Sequence, residues 1–123
     1  MKHRKKKESA TVIYDISVRC LDLEEFSGFF LSKKKNKLYE SIMDEISRAV
    51  LNLYREVETF SFAVTSEGFH ILIWTMANNA RMSNIMAYVQ GSFTEKVNRY
   101  LDRTGPVWDG RWTFDIINEP DID

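Results

Sequence analysis

His70 is the residue in the apolar body of this chain best suited to hold a metal or move a proton near neutral pH. It lies in Phe69-His-Ile-Leu-Ile-Trp74, a run that is otherwise apolar and has the composition of a strand covered on both faces. A lone imidazole in such a strand is more often a satisfied core or subunit-face residue than a ligand. The segment before it alternates Phe60, Phe62 and Val64 with Ser61, Ala63 and Thr65, the period of a half-buried strand, and Ser66-Glu67-Gly68 joins the two.

A second chemistry is written in charge. Lys2, Arg4, Lys5, Lys6 and Lys7 open the chain, and Lys33, Lys34, Lys35 and Lys37 form another cluster, so nine of the 17 Lys and Arg fall in two places although the net charge is −1. Such clusters can track phosphates with salt-dependent affinity. A solvated tail and a solubilising loop have the same composition. Cys20 is the only cysteine, which excludes an internal disulfide or a cysteine-rich zinc site, and it reads as a small packing residue at a strand end. No apolar run reaches the length of a membrane span, and no apolar signal segment follows the basic start. The expectation is a soluble, cytoplasmic protein with no membrane partner.

The elements that must position these residues follow from periodicity. A chain of 123 residues predicts one domain, with residues 1–9 as a disordered basic arm, 10–118 as the folded unit and 119–123 as an acidic tail. Val12, Tyr14, Ile16, Val18 and Cys20 alternate along a first strand over Ala10 to Cys20. Leu21 to Asn36 reads as a loop that packs Phe26, Phe29 and Phe30 and exposes its lysines. Leu38, Ile42, Ile46, Ala49, Val50 and Leu53 recur at helical spacing over Lys37 to Arg55, with Asn36 or Ser32 as a candidate cap. After the two strands and a polar connection at Ala77 to Arg81, Ile85, Met86, Val89, Phe93, Val97, Tyr100 and Leu101 mark a second helix over Ser83 to Asp102, ended by Gly105-Pro106. Arg111 to Ile117 forms a fourth strand. The order predicts an α+β, ferredoxin-like β-α-β-β-α-β fold, a four-stranded antiparallel sheet with both helices on one face. His70 would then lie on a central strand, with the other sheet face free for a ligand or a second subunit.

Three stretches together resemble the Y1 transposase family, the IS200-like and REP-associated tyrosine transposases of the HUH endonuclease superfamily. Tyr14-Asp-Ile-Ser-Val-Arg19 resembles the family's first strand, and Phe62 to Ile73 is similar to its strand turn ending in Asn-His-hydrophobic-His-Leu-Leu. Tyr88 to Arg111 resembles its helix with Gly-[Arg/Ser]-[Phe/Tyr] and Asn-Arg steps, followed by Thr-Gly-x-[Leu/Val]-Trp-x-Gly-Arg. The resemblance implies a divalent metal, Mg or Mn, held by two histidines one residue apart on a strand face, and a tyrosine that forms a phosphotyrosine link to DNA. His70 matches the second histidine; Gly68 stands where the first would be. A bulge at Gly68 would be needed to turn Glu67 to the same face. The family's tyrosine lies on a further helix, beyond the strand that follows Trp-x-Gly-Arg, and the expectation is that this chain stops short of it. Of the tyrosines present, Tyr14, Tyr39, Tyr54 and Tyr100 sit at strand or helix packing positions, which leaves Tyr88 as the outside candidate nucleophile.

The binding residues match better. Arg19, Arg99, Arg103 and Arg111 are placed to reach phosphates, joined by Lys33, Lys34 and Lys35, and Trp108 and Trp112 flank Gly110 where a base could stack. Packing of both indoles beside the fourth strand is the alternative. The leading expectation is a transposase-like protein that binds single-stranded or hairpin DNA, is a homodimer through its sheet, and lacks strand cleavage. An active nicking and joining transposase, or a protein-interaction module on the same scaffold, are the alternatives.

Overall fold

Alternation on the first strand and on the two joined strands produces a sheet, and the two amphipathic segments cover one side of it. The structure is a computed structural model that describes residues 11–21, 33–76 and 81–118. The basic arm, the acidic tail, Phe26, Phe29 and Phe30, and most of the Ala77 to Arg81 connection lie outside the described residues. In chain order the elements are β1 (Thr11–Arg19), α1 (Lys33–Leu53), β2 (Val57–Val64), β3 (Gly68–Met76), α2 (Met82–Leu101) and β4 (Thr113–Asn118). The sheet is antiparallel throughout with order β2-β3-β1-β4, so β1 and β3 occupy the centre. This is the predicted α+β fold.

The register sorts the side chains. Ile16 pairs with Ile71 and Val18 with Phe69, while Phe60 and Phe62 pair with Ile73 and Ile71 from the other side. These residues meet Tyr39, Ile42, Met43, Ile46 and Val50 of α1 and Ile85, Met86, Val89, Phe93 and Val97 of α2 in one core. Phe93 lies edge-on to Phe69 at 5.2 Å between ring centroids. That geometry adds to the large apolar area each ring buries.

The boundaries differ from expectation in informative places. α1 begins at Lys33, so Lys33 to Lys37 are helical rather than part of a loop and Asn36 lies inside the helix instead of capping it. β2 begins at Val57, three residues before the alternation that starts at Phe60. A bulge between Val57 and Thr59 inserts Glu58, which lets Val57 and Phe60, three apart, both face the core. β3 is covered on one face, not two. Ile71 and Ile73 are fully buried, whereas His70 and Trp74 are exposed and Leu72 is half-buried. α2 ends in a Schellman-type turn: Asp102 takes a left-handed conformation (φ 52°), and the Arg103 amide donates to the Asn98 carbonyl at 2.9 Å.

Two further contacts fix the layers. Arg81, at the start of α2, donates from Nε and Nη2 to the two carboxylate oxygens of Glu56, each at 2.9 Å, and its guanidinium lies 4.8 Å from the Tyr54 ring centroid. At the β2–β3 turn the Thr65 hydroxyl accepts from the amides of Glu67 (3.2 Å) and Gly68 (3.0 Å). Cys20 is buried at the end of β1, and burial pushes its thiol up to about 12, as befits an inert packing residue.

Candidate nucleic-acid interface

The segment after α2 is laced to the end of β1. The Leu21 amide donates to the Val107 carbonyl (2.8 Å), the Asp109 amide to the Arg19 carbonyl (2.8 Å), and Cys20 bridges Trp108. This brings Arg19 of β1 to one corner with Trp108 and its chain neighbours Arg103 and Arg111, and Arg99 stands on the last turn of α2. The roles within the corner are not equal. Arg103 reaches the Asn98 side-chain oxygen (2.7 Å) and the Pro106 carbonyl (3.2 Å), and Asn98 in turn donates to the Gly105 carbonyl (3.0 Å). It braces the turn. Trp108 is half-buried, its indole N–H donates to the Gln90 carbonyl at 3.0 Å, and its ring packs 5.1 Å from Phe93. That is a packed indole rather than a free stacking surface.

Arg19 and Arg99 meet Glu67 and Glu95 at 3.5 Å, in pairs whose side chains are all exposed. Exposed pairs of this kind contribute little and exchange readily for phosphate. Arg111 is exposed, with its guanidinium 5.7 Å from the Trp112 ring centroid. The backbone of Lys33, Lys34 and Lys35 forms the first turn of α1.

His70 projects from the helix-free face of β3, where its Nε2 meets the Asp15 carboxylate of β1. A carboxylate on one ring nitrogen fixes the tautomer and the ring plane. Asp15 was not singled out in the sequence, because only the register reveals that it shares a face with His70. Asp115 stands directly opposite Asp15 on β4. This part of the face therefore carries two carboxylates beside one imidazole, a poor surface for an approaching phosphate.

Gly68 pairs with Arg19, and no shift interrupts the β1–β3 register there. The bulge that would turn Glu67 toward His70 does not form; Glu67 meets Arg19 instead. A Cβ on Gly68 would lie 2.1 Å from the Val18 carbonyl oxygen, so β1 and β3 approach too closely for any side chain at that position. Tyr88 is half-buried on α2, edge-on to Tyr54 at 6.5 Å, and is packed against the core. The sheet stands between Tyr88 and His70, and the two are not brought together. His70 is held by Asp15, and Gly68 offers no side chain where the resemblance places the first histidine. Among the described residues no group of three His, Cys, Asp or Glu side chains converges to hold a metal ion. The pair of histidines that the resemblance implies is therefore not present on this strand face.

No known protein family matches the chain, and no curated protein matches it. Among solved structures, a REP-associated tyrosine transposase bound to a REP hairpin is similar, with a TM-score of 0.50 and 13% identity over 92% of this chain and 59% of that one. The chain shares the fold of that protein. It spans about 59% of that protein's length. Among the described residues no helix is long and apolar enough to cross a membrane.

Proposed function

We propose that this chain is a transposase-like DNA-binding protein that grips single-stranded or hairpin DNA and does not cut it. The observation that carries the reading is the corner where β1 and the segment after α2 are joined, gathering Arg19, Arg103 and Arg111 beside Trp108. Arg99, exposed on the last turn of α2, extends the basic surface. The fold shared with a protein solved on a DNA hairpin supports the choice of ligand. The absence of cutting is supported by Gly68, whose close approach to β1 leaves no room for an imidazole, and by the position of Tyr88 behind the sheet.

A hairpin oligonucleotide titrated across salt concentrations tests the binding. The expected affinity falls steeply with salt, and Arg111→Gln lowers the salt slope by roughly one for a single lost phosphate contact. Affinity absent at low salt, or insensitive to salt, refutes the reading. Labelled single-stranded DNA with Mg²⁺ or Mn²⁺ tests the second half. A covalent protein–DNA band that vanishes in Tyr88→Phe would establish cleavage after all.

A homodimer through the helix-free sheet face belongs to the same proposal. Trp74, Met76 and Ile117 are exposed there, flanked by half-buried Ile13 and Leu72. A second copy would remove these side chains from water.

A further inference from the structure

Among the described residues β4 carries apolar side chains that neither helix covers. Phe114 pairs with Ile16 and Ile116 with Tyr14, so both lie on the face that the helices cover elsewhere, yet they remain 46% and 51% exposed. The helix layer stops short of this edge. What stands there instead is a row of rings. Trp112 and Phe114 are 5.2 Å apart between centroids with planes at 37°, and Phe114 and Tyr14 are 5.6 Å apart at 44°. The half-buried outer members, Trp112 and Tyr14, pack against the core, which holds the exposed middle ring in place. The Arg111 guanidinium stands over Trp112 at one end.

We propose that Trp112, Phe114 and Tyr14 form a stacking platform for unpaired bases of a DNA strand, with Arg111 closing one end. The inference rests on the DNA-binding reading and deepens it by locating where unpaired bases go. Three observations favour a nucleobase as the occupant. Aromatic side chains on a sheet, fixed from behind, offer stacking that any base can use. A guanidinium lies against the row, and Arg111 also belongs to the basic corner, so a strand whose backbone lies on that corner runs on to the rings. The acidic side chains of these strands, Asp15 and Asp115, project from the opposite face and leave the ring face free of carboxylates from β1 and β4. The ring face thus carries the Arg111 cation with no carboxylate from the two strands that bear Tyr14 and Phe114.

The test compares a blunt hairpin with the same hairpin carrying a short unpaired tail that contains 2-aminopurine. The expected result is tail-dependent affinity of about ten-fold or more, since one stacked base contributes roughly that much, together with quenching of the 2-aminopurine. Phe114→Ala should abolish the tail's advantage and the quenching while leaving the blunt hairpin's affinity unchanged, and Phe114→Tyr should keep both. Phe114 is exposed, so the Ala variant should melt close to the parent, which circular dichroism checks. Equal affinity for blunt and tailed DNA in the parent overturns the platform but leaves the DNA-binding reading standing. So does a loss in Phe114→Ala that is the same for both ligands. No binding of either ligand at low salt overturns both. A change of oligomeric state in Phe114→Ala with tail binding intact would assign the ring row to a protein contact instead.

Discussion

The two faces of the sheet are made by the same four strands and behave as different materials. On the covered face Ile16, Val18, Phe69, Ile71 and Ile73 share one core with side chains of both helices and are lost to solvent. On the other, His70, Leu72, Trp74 and Met76 alternate with them along the same strand and stay wholly or partly in water. The open set is less apolar but still includes Leu72, Trp74 and Met76, so composition alone does not explain the difference. The helices do: α1 and α2 present their apolar stripes to one side only. An apolar residue left on the other side is available for association, and a polar one such as His70 is available for a partner such as Asp15.

The sharpest way to break this contrast is within β3. Phe69→Ala should cost about 3–5 kcal/mol, because Phe69 is almost fully buried between Phe62, Phe93 and Trp108. Chemical denaturation measures it, and a loss below about 1 kcal/mol would mean that the covered face is not the core. Gly68→Ala comes next. Its Cβ would strike the Val18 backbone, and overpacking against backbone costs about 1–3 kcal/mol; an unchanged melting temperature would show that β1 and β3 separate there at little cost. Thr75→Val should stabilise by about 1 kcal/mol, since the Thr75 hydroxyl is buried on the covered face without a hydrogen-bond partner among the described residues. A destabilised Val variant would reveal a partner for that hydroxyl.

A smaller effect concerns the clip between the layers. The hydrogen bonds from Arg81 hold the Glu56 carboxyl below its ordinary value of 4.5. A depressed carboxylate contributes stability that is present above the ordinary value and is lost as pH falls through the folded one. Glu56→Gln should therefore lower the melting temperature slightly at neutral pH and leave it unchanged at low pH, which flattens the acid side of the profile. An unchanged acid limb would remove the clip from the account. Least of all, Trp74→Lys should move the stability of the folded unit by no more than about 0.5 kcal/mol, because the indole is 41% exposed on the open face. If that face joins two copies, the same substitution should yield a monomer in sedimentation; a dimer that survives it places the interface elsewhere.

Much of this was legible in the chain itself. The alternation of Tyr14, Ile16 and Val18 and the helical spacing from Leu38 to Leu53 each specified an element, because side-chain period follows from backbone geometry. The strand order of helix and strand units then led to the four-stranded sheet. Val57 was hidden because the bulge at Glu58 breaks the period of two. The early start of α1 was hidden because lysines at a helix N-terminus oppose its dipole and so look like loop.

Sequence alone determined which residues are apolar, how they recur, and hence which elements form. Only the tertiary structure decided what those elements bring together. That Asp15 reaches His70, that Gly68 lies too close to Val18 for a side chain, that Trp108 is packed while Phe114 is exposed, all depend on strand register and on where the helix layer ends. The physical reason is that periodicity is a property of one segment, whereas register and coverage are set by the competition of several segments for the same buried surface.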